Sequence, residues 1–186
     1  QRRMAVSLAT VPPVDFARPA IGEAEIEEVV AVLRSGWLTT GARVHRFERA
    51  FADYVGASHA VAVNSCTAAL HLSLLAAGIG PGDEVITSPY SFVASANCAL
   101  YCGAEVDFVD IDPRTYNMSV EALEDRLIQA DKAGKLPKIV VPVHFAGQSC
   151  EMKQIRALAD HYGFRIIEDA SHAIGSKYLG QSVGNC

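Results

Sequence analysis

The sequence predicts an α/β protein with a mostly parallel sheet between two layers of helices. Short apolar runs recur along the chain and alternate with stretches of helical periodicity. Half of the 186 residues are hydrophobic and a fifth are charged, so most of the chain is expected to be packed. No repeat or low-complexity tract interrupts the alternation, which favours one continuous core.

Two helices are predicted before the first apolar run. The segment "IGEAEIEEVVAVLRSG" carries Ile26, Val29 and Leu33 at helical spacing, with acidic residues early as the helix dipole favours. The segment "VHRFERAFADYVG" repeats this pattern around Phe47 and Phe51, with a glycine as its stop. Both segments therefore predict amphipathic helices.

Five strands and four connecting helices are predicted after these two helices. The strands are "HAVAVNS" (59–65), "DEVITSP" (83–89), "AEVDFVDID" (104–112), "KIVVPVH" (138–144) and "FRIIED" (164–169). The helices between them are 67–78, 91–103, 120–130 and 151–163, and Ser119 is expected to cap the third. Right-handed crossovers bring the carboxyl ends of parallel strands to one edge of the sheet. Ligands bind at that edge in open α/β sheets.

Charge and cysteine content exclude several classes of protein. The net charge of -5, without clusters of Lys and Arg, argues against a nucleic-acid-binding surface. No apolar stretch approaches the roughly 20 residues that a membrane helix needs. The five cysteines are odd in number and lack CxxC spacing, which disfavours a disulfide framework or a zinc site. We expect reduced thiols, a cytoplasmic location and a loose terminus over residues 1–15.

The first candidate site is "NSCTAAL" (64–70), where the first predicted strand leads into a helix. Small and hydroxyl residues leave the first amides of such a helix free to bind an anion, so the segment favours a phosphate site. An ordinary helix cap explains the same residues. The glycines of "GIGPGDEV" precede a strand instead of following one, which disfavours a dinucleotide-binding site.

The second candidate is the acidic end of the last strand, Glu168 and Asp169, with His172 three residues later. A carboxylate at the end of a buried strand needs a cationic or hydrogen-bonding partner. One suitable partner is the protonated ring nitrogen of pyridoxal phosphate (PLP), a cofactor that works as an electron sink. A solvated acidic turn is the alternative.

An aromatic residue and two polar groups at the same edge are weaker candidates. Phe92 lies where it could stack on a flat cofactor ring, although a core position is the more common role of such a residue. Asp107, Asp110 and Asp112 are interpreted as a solvated strand end, and no metal site is predicted. His144 is interpreted as a hydrogen-bonded core histidine or a site residue.

The motifs in combination resemble those of the DegT/DnrJ/EryC1/StrS family. They are "SGWLTTG", "NSCTAALHLSL", "GDEVITSPYSFVASAN", "FVDIDPRTYN", "PVHFAGQ" and "IIEDASHAIGSKYLGQSVG". The resemblance implies PLP-dependent aminotransferases of nucleotide-linked keto sugars, with the fold of the type I PLP-dependent transferases. It implies that residues 16–186 are the amino-terminal part of the PLP-binding large domain, which is incomplete here, and that the small domain is missing from this sequence.

The resemblance also implies roles for particular residues. Cys66, Thr67 and Ala68 match the segment that holds the cofactor phosphate, and Phe92 matches the aromatic stacked on the ring. Asp169 matches the partner of the ring nitrogen, and His172 matches a polar neighbour of the ring hydroxyl. The positions that line the sugar-nucleotide site are Phe16, Gly36, Trp37, Leu38 and Thr39.

The resemblance implies that the Schiff-base lysine of the family lies beyond the "EDASHA" block, in a segment that this sequence does not contain. Lys177 is not expected to replace it, because it falls at a variable position in an expected exposed hairpin. The catalytic residue is therefore unassigned, and we expect weak PLP binding and no transamination from this chain alone. For the whole enzyme the resemblance implies a homodimer that moves an amino group from glutamate to C4 of a UDP-linked 4-keto-6-deoxy sugar. A sugar dehydratase with histidine in place of that lysine, and a non-catalytic relative, are the alternatives.

Overall fold

The computed structural model describes residues 19–185, in which the chain forms two compact units. Of the described residues, 19–43 belong to the first unit, which contains helix α1 (Glu23–Ser35), and 44–185 belong to the second. Glycine ends α1 because Gly36, at φ 70°, adopts the left-handed conformation that other residues avoid. Phe16 and the predicted loose terminus lie outside the described residues.

The remaining helices have the predicted order and nearly the predicted bounds. They are α2 (Ala42–Val55), α3 (Cys66–Ala76), α4 (Ala94–Tyr101), α5 (Val120–Lys132) and α6 (Met152–Tyr162). As predicted, Ser119 caps α5, and its side chain accepts a hydrogen bond from the amide of Ala122 at 3.2 Å. Helix α4 begins three residues later than predicted because turns and bends occupy residues 89–93.

Four parallel strands form the sheet, in the order β2-β1-β3-β4. They are β1 (Glu84–Thr87), β2 (Glu105–Phe108), β3 (Ile139–Val141) and β4 (Arg165–Ile166). Val85 of β1 pairs with Val106 on one side and with Ile139 on the other. The chain passes from β1 to β2 on one side of β1, and β3 and β4 are then added on the other side of β1. The direction of the crossovers therefore reverses between β1 and β3, and the carboxyl ends of these two strands flank that point.

The central strands β1 and β3 are buried on both faces of the sheet, which confirms the predicted three-layer α/β class. One face packs on α3 and α4 through side chains such as Val85 and Ile139. The other packs on α5 and α6 through side chains such as Ile86 and Val140. Successive residues of a strand point to opposite faces, so β3, which is covered on both sides, is apolar at every position.

The predicted strand at 59–65 is wrong. Those residues form no strand, and Val61 is 81% exposed. The reason is that none of the described strands pairs with this segment. Without hydrogen bonds to a neighbouring strand, the backbone of an apolar run is not held in a sheet. The expected exposed hairpin at Lys177 is confirmed as β5 (Lys177–Tyr178) and β6 (Gln181–Ser182).

Within residues 19–185, the helices are all too short or too polar to cross a membrane.

Candidate functional site

Asp169 lies just beyond the end of β4, at the carboxyl edge of the sheet. Its amide donates to the carbonyl of Pro142 at 2.9 Å, and its carbonyl accepts from the amide of His144 at 3.0 Å. These two bonds extend the pairing of β3 and β4 past the ends of the regular strands. The residue is 5% exposed, so its position is fixed by the sheet and shielded from water.

The Asp169 carboxylate is held by neutral donors. Ser95 of α4 donates its hydroxyl to Oδ2 at 2.8 Å. The amide of Ser171 donates to Oδ1 at 3.3 Å, and the thiol of Cys66 lies 3.9 Å from the same oxygen. No described residue forms an ion pair with Asp169. A buried carboxylate without a counter-ion is costly, so this site favours a cationic ligand group.

The first turn of α3 faces the same carboxylate through Cys66. Ser65 is the N-cap, and its hydroxyl accepts from the amide of Ala68 at 3.1 Å. The amides of Cys66 and Thr67 have no acceptor among residues 19–185, as expected for the first residues of a helix. Of the three predicted phosphate-binding residues, two therefore offer unused amides, whereas the amide of Ala68 is occupied by Ser65.

The thiol of Cys66 is affected by this position. Partial burial raises its pKa, and the nearby charge of Asp169 raises it further. The protonated thiol is therefore favoured, and this is the form that can donate a hydrogen bond to the carboxylate.

Phe92 and His172 lie in the loops that precede α4 and follow β4. Phe92 is 75% exposed, so the core interpretation of this residue is wrong, and its carbonyl accepts from the amide of Ser95 at 3.1 Å. The exposed ring of His172 makes no hydrogen bond within the described part of the chain. A Cβ atom at Gly147, where φ is 88°, would lie 3.0 Å from the carbonyl oxygen of His172, so this approach of two loops requires glycine.

Glu168 does not share the surroundings of Asp169, because adjacent strand residues point to opposite faces. It faces the buried His144, whose Nε2 lies 2.9 Å from Glu168 Oε2. Nδ1 of the same ring accepts from the amide of Cys150 at 3.0 Å, so the proton is on Nε2 and the imidazole is neutral. The core interpretation of His144 is thus confirmed, and the grouping of Glu168 with Asp169 and His172 is wrong.

Sequence reasoning missed two serines of the site and a third nearby. Ser91 and Ser95 are four residues apart, and their hydroxyl oxygens are 2.7 Å apart. Ser91 precedes α4 and Ser95 lies within it, and nothing local in the sequence shows that a carboxylate 74 residues away accepts from Ser95. Ser88, directly after β1, is buried, and its hydroxyl has no partner among the described residues.

The predicted sugar-nucleotide residues that the structure describes are local to one loop. Gly36, Trp37, Leu38 and Thr39 belong to the first unit, where Trp37 is 66% exposed and its indole nitrogen donates to the carbonyl of Thr40 at 3.0 Å.

The three aspartates near β2 have local partners. Asp107 pairs with Arg126, Asp112 pairs with Arg114, and Asp110 accepts from the amide of Ile111. In the described ranges, no group of three His, Cys, Asp or Glu residues is arranged to hold a metal.

Comparison with known proteins places this arrangement in context. The model of the DegT/DnrJ/EryC1/StrS aminotransferase family matches residues 19–186. The spore coat polysaccharide biosynthesis protein SpsC of Bacillus subtilis is 50% identical over 170 residues, which cover 91% of this chain and 42% of SpsC. The chain spans about two fifths of the length of the curated relatives it matches.

Solved structures share the fold. A DegT/DnrJ/EryC1/StrS aminotransferase from Brucella abortus superposes with a TM-score of 0.82 at 37% identity, covering 87% of this chain and 45% of its own. Spr1654 of Streptococcus pneumoniae, in its PLP form, gives 0.83 at 35% identity, covering 92% and 46%. Its PMP form, with pyridoxamine phosphate, gives 0.84 at the same identity.

Proposed function

The chain belongs to the DegT/DnrJ/EryC1/StrS aminotransferase family, and we propose that it forms the cofactor-binding floor of a sugar aminotransferase. The observation that carries this proposal is the buried carboxylate of Asp169, which is held by neutral donors at the carboxyl edge of the sheet. Its surroundings suit the protonated nitrogen of a pyridine ring, which would supply the missing positive charge.

Pyridoxal phosphate is the cofactor, as the sequence predicted, and relatives solved in PLP and PMP forms confirm it. When bound, it supplies an electron sink for the carbon that gains or loses the amino group. We propose that Asp169 accepts the hydrogen bond of the ring nitrogen and keeps it protonated. A carboxylate in a low-dielectric site favours the charged form of a neighbouring base.

The other predicted residues are proposed to hold the remaining parts of the cofactor. The free amides of Cys66 and Thr67, at the positive end of α3, would bind the phosphate. Phe92 would stack on the ring, and its 75% exposure leaves the side chain available for this contact. His172, exposed on the loop after Asp169, would donate to the ring hydroxyl. Gly36 to Thr39 and Phe16 are proposed to line the sugar-nucleotide site.

None of the five lysines of the sequence lies among these residues. Lys135 and Lys138 pair with Glu105 and Asp83, and Lys177 is exposed on the β5–β6 hairpin. We therefore propose that the catalytic lysine is not one of these five and that this chain alone does not transaminate.

The substrate of the whole enzyme is proposed from the family. We propose that glutamate supplies an amino group to C4 of a UDP-linked 4-keto-6-deoxy sugar, for a bacterial surface glycan. The segments "SFVASANCALYCGAEVDFVDID" and "VPVHFAGQ" resemble the aminotransferase of pseudaminic acid biosynthesis, and SpsC serves a polysaccharide pathway, which supports this proposal. The homodimer and the cytoplasmic location stay predictions of the sequence.

The test uses the product of the complete gene with Asp169→Ala, and with Asp160→Asn as its control. Asp160 is an exposed carboxylate on α6 that pairs with Arg156, so it matches the charge but not the site. We expect Asp169→Ala to lower the transamination rate by about a hundredfold or more, as loss of one preorganised electrostatic group typically does. Asp160→Asn should match the wild type. Unchanged turnover in Asp169→Ala would contradict the proposal.

A further inference from the structure

Two serine hydroxyls form a relay that ends on the Asp169 carboxylate. The hydroxyl oxygens of Ser91 and Ser95 are 2.7 Å apart, and Ser95 Oγ is 2.8 Å from Asp169 Oδ2. Ser95 is 1% exposed, and Asp169 is 5% exposed. The relay joins α4 and the loop before it to the end of β4, across 74 residues of sequence.

The direction of both hydrogen bonds follows from proton counting. An ionised carboxylate only accepts, so the single hydroxyl proton of Ser95 points to Asp169. Ser95 therefore has no proton left for Ser91, and Ser91 must donate to Ser95. Each hydroxyl is polarised by the next bond, so the donor that reaches the carboxylate is stronger than an isolated serine.

We propose that Ser95, supported by Ser91, is a positioning residue that holds the Asp169 carboxylate oriented for the ring nitrogen of the cofactor. This inference rests on the proposed function, because it assigns Ser95 a role that acts through Asp169. Donation to the charged form of a carboxylate stabilises that form, and a fixed donor on Oδ2 restrains rotation of the carboxylate. Without the hydroxyl of Ser95, the carboxylate keeps only the hydrogen bond from the amide of Ser171 at 3.3 Å and the contact with the thiol of Cys66 at 3.9 Å.

A structural role for Ser95 and a role in orienting Asp169 make different predictions for two ligands. The first ligand is pyridoxamine 5′-phosphate, which has no aldehyde and binds without a covalent bond. The second is its analogue with C–H in place of the ring nitrogen. Both fill the same space and carry the same phosphate, but only the first has a nitrogen that Asp169 can bind. Loss of packing weakens the binding of both ligands, whereas loss of the oriented carboxylate weakens the binding of pyridoxamine phosphate alone.

The dissociation constants of both ligands are measured by titration on the complete gene product with Ser95→Ala, Ser95→Cys and Ser95→Thr. We expect Ser95→Ala to weaken pyridoxamine phosphate about tenfold, the usual effect of one hydrogen bond to a charged group. Ser95→Cys nearly keeps the size of the side chain, but its thiol is a weak donor, so it should weaken pyridoxamine phosphate as Ser95→Ala does. If the alanine variant is misfolded, the cysteine variant tests the role of the hydroxyl instead. Ser95→Thr keeps the hydroxyl and should restore binding. Ser73→Ala, an exposed position on α3, is the control.

Asp169→Asn separates failure of this inference from failure of the proposed function. If Asp169→Asn binds pyridoxamine phosphate as the wild type does, Asp169 is not the partner of the nitrogen and the proposed function fails. If that variant loses affinity while Ser95→Ala and Ser95→Cys do not, only the role of Ser95 is overturned. Equal weakening of both ligands in the Ser95 variants also overturns it. Selective weakening of the nitrogen-containing ligand supports the inference.

Discussion

Replacing Asn117 with aspartate is expected to destabilise the protein strongly at neutral pH, although the two side chains have the same shape. Asn117 is 3% exposed, and it joins the loop between β2 and α5 to the loop after β3. Its amide nitrogen donates to the carbonyls of Gln148 and Ser149, each at 3.0 Å, and its oxygen accepts from the amide of Phe145 at 2.9 Å. The substitution turns two donors into an acceptor that faces two carbonyls.

The expected loss is about 3 kcal/mol. Two hydrogen bonds of about 1 kcal/mol each are lost. The new carboxylate oxygen, which is buried and has no hydrogen-bond donor, adds a further loss of about 1–3 kcal/mol. A stronger bond from the amide of Phe145 to the new charge offsets a part of this. With a urea slope of about 2 kcal/mol/M for a chain of this size, the midpoint should fall by about 1.5 M.

The loss should depend on pH. In its protonated form the introduced carboxyl group can donate to one of the two carbonyls, so folding raises its pKa above the unfolded value of about 3.9. The destabilisation is then complete at pH 7, above the folded-state pKa, and becomes smaller as the pH falls toward about 4. Urea unfolding of the complete gene product at pH 7 and pH 5, with the wild type measured beside the variant, checks this.

Asn185→Asp is the matched control. The amide of Asn185 also donates to two carbonyls, those of Val55 at 3.2 Å and Gly56 at 3.0 Å, but the residue is exposed. Water can replace the lost bonds there, so the midpoint should move by less than about a quarter of the shift in Asn117→Asp. Equal shifts in the two variants, or a loss in Asn117→Asp that grows at low pH, would refute the reasoning.

Three further predictions concern reactivity, capping and acid stability. Burial raises the pKa of Cys150 to about 12, so a thiol reagent at pH 8 should label the exposed Cys66 faster than Cys150. Bound PLP should slow the labelling of Cys66, and site-by-site mass spectrometry measures both rates. Ser119→Ala should cost about 1 kcal/mol in urea unfolding, whereas Ser119→Asp should not. Arg114 lowers the pKa of Asp112 to about 2, so the stabilisation by this pair is present above about pH 4 and lost toward pH 2. Asp112→Asn should therefore lower the thermal midpoint at pH 7 but not at pH 2.

The sequence predicted the layers of the fold because burial leaves a local pattern. Strands such as β3 are apolar at every position, and helices such as α5 carry a serine cap and a periodic apolar face. It did not predict the conformation of residues 59–65, because an apolar run becomes a strand only where a neighbour pairs with it.

For the same reason, the sequence singled out only some of the residues that surround Asp169. Asp169 was identified because a carboxylate at the end of a buried strand is unusual and needs a partner. Ser95 was missed because a serine in a helix gives no local signal, and its importance comes from a residue 74 positions away. The different surroundings of Glu168 and Asp169 follow from strand alternation, but the predicted strand end was not precise enough to assign their faces.

The connectivity of the site determines when the cofactor can contribute to folding. Asp169 meets Ser95 and Cys66 across 74 and 103 residues, so these contacts form only after the crossovers through α4, α5 and α6 have brought β4 beside β3. Contacts of such long sequence separation are slow, and loop closure must precede them. A cofactor bound at the proposed site would therefore stabilise the folded domain by mass action and slow its unfolding, but it would not accelerate the early steps of assembly. The sheet would form through apolar burial before such a ligand contributes.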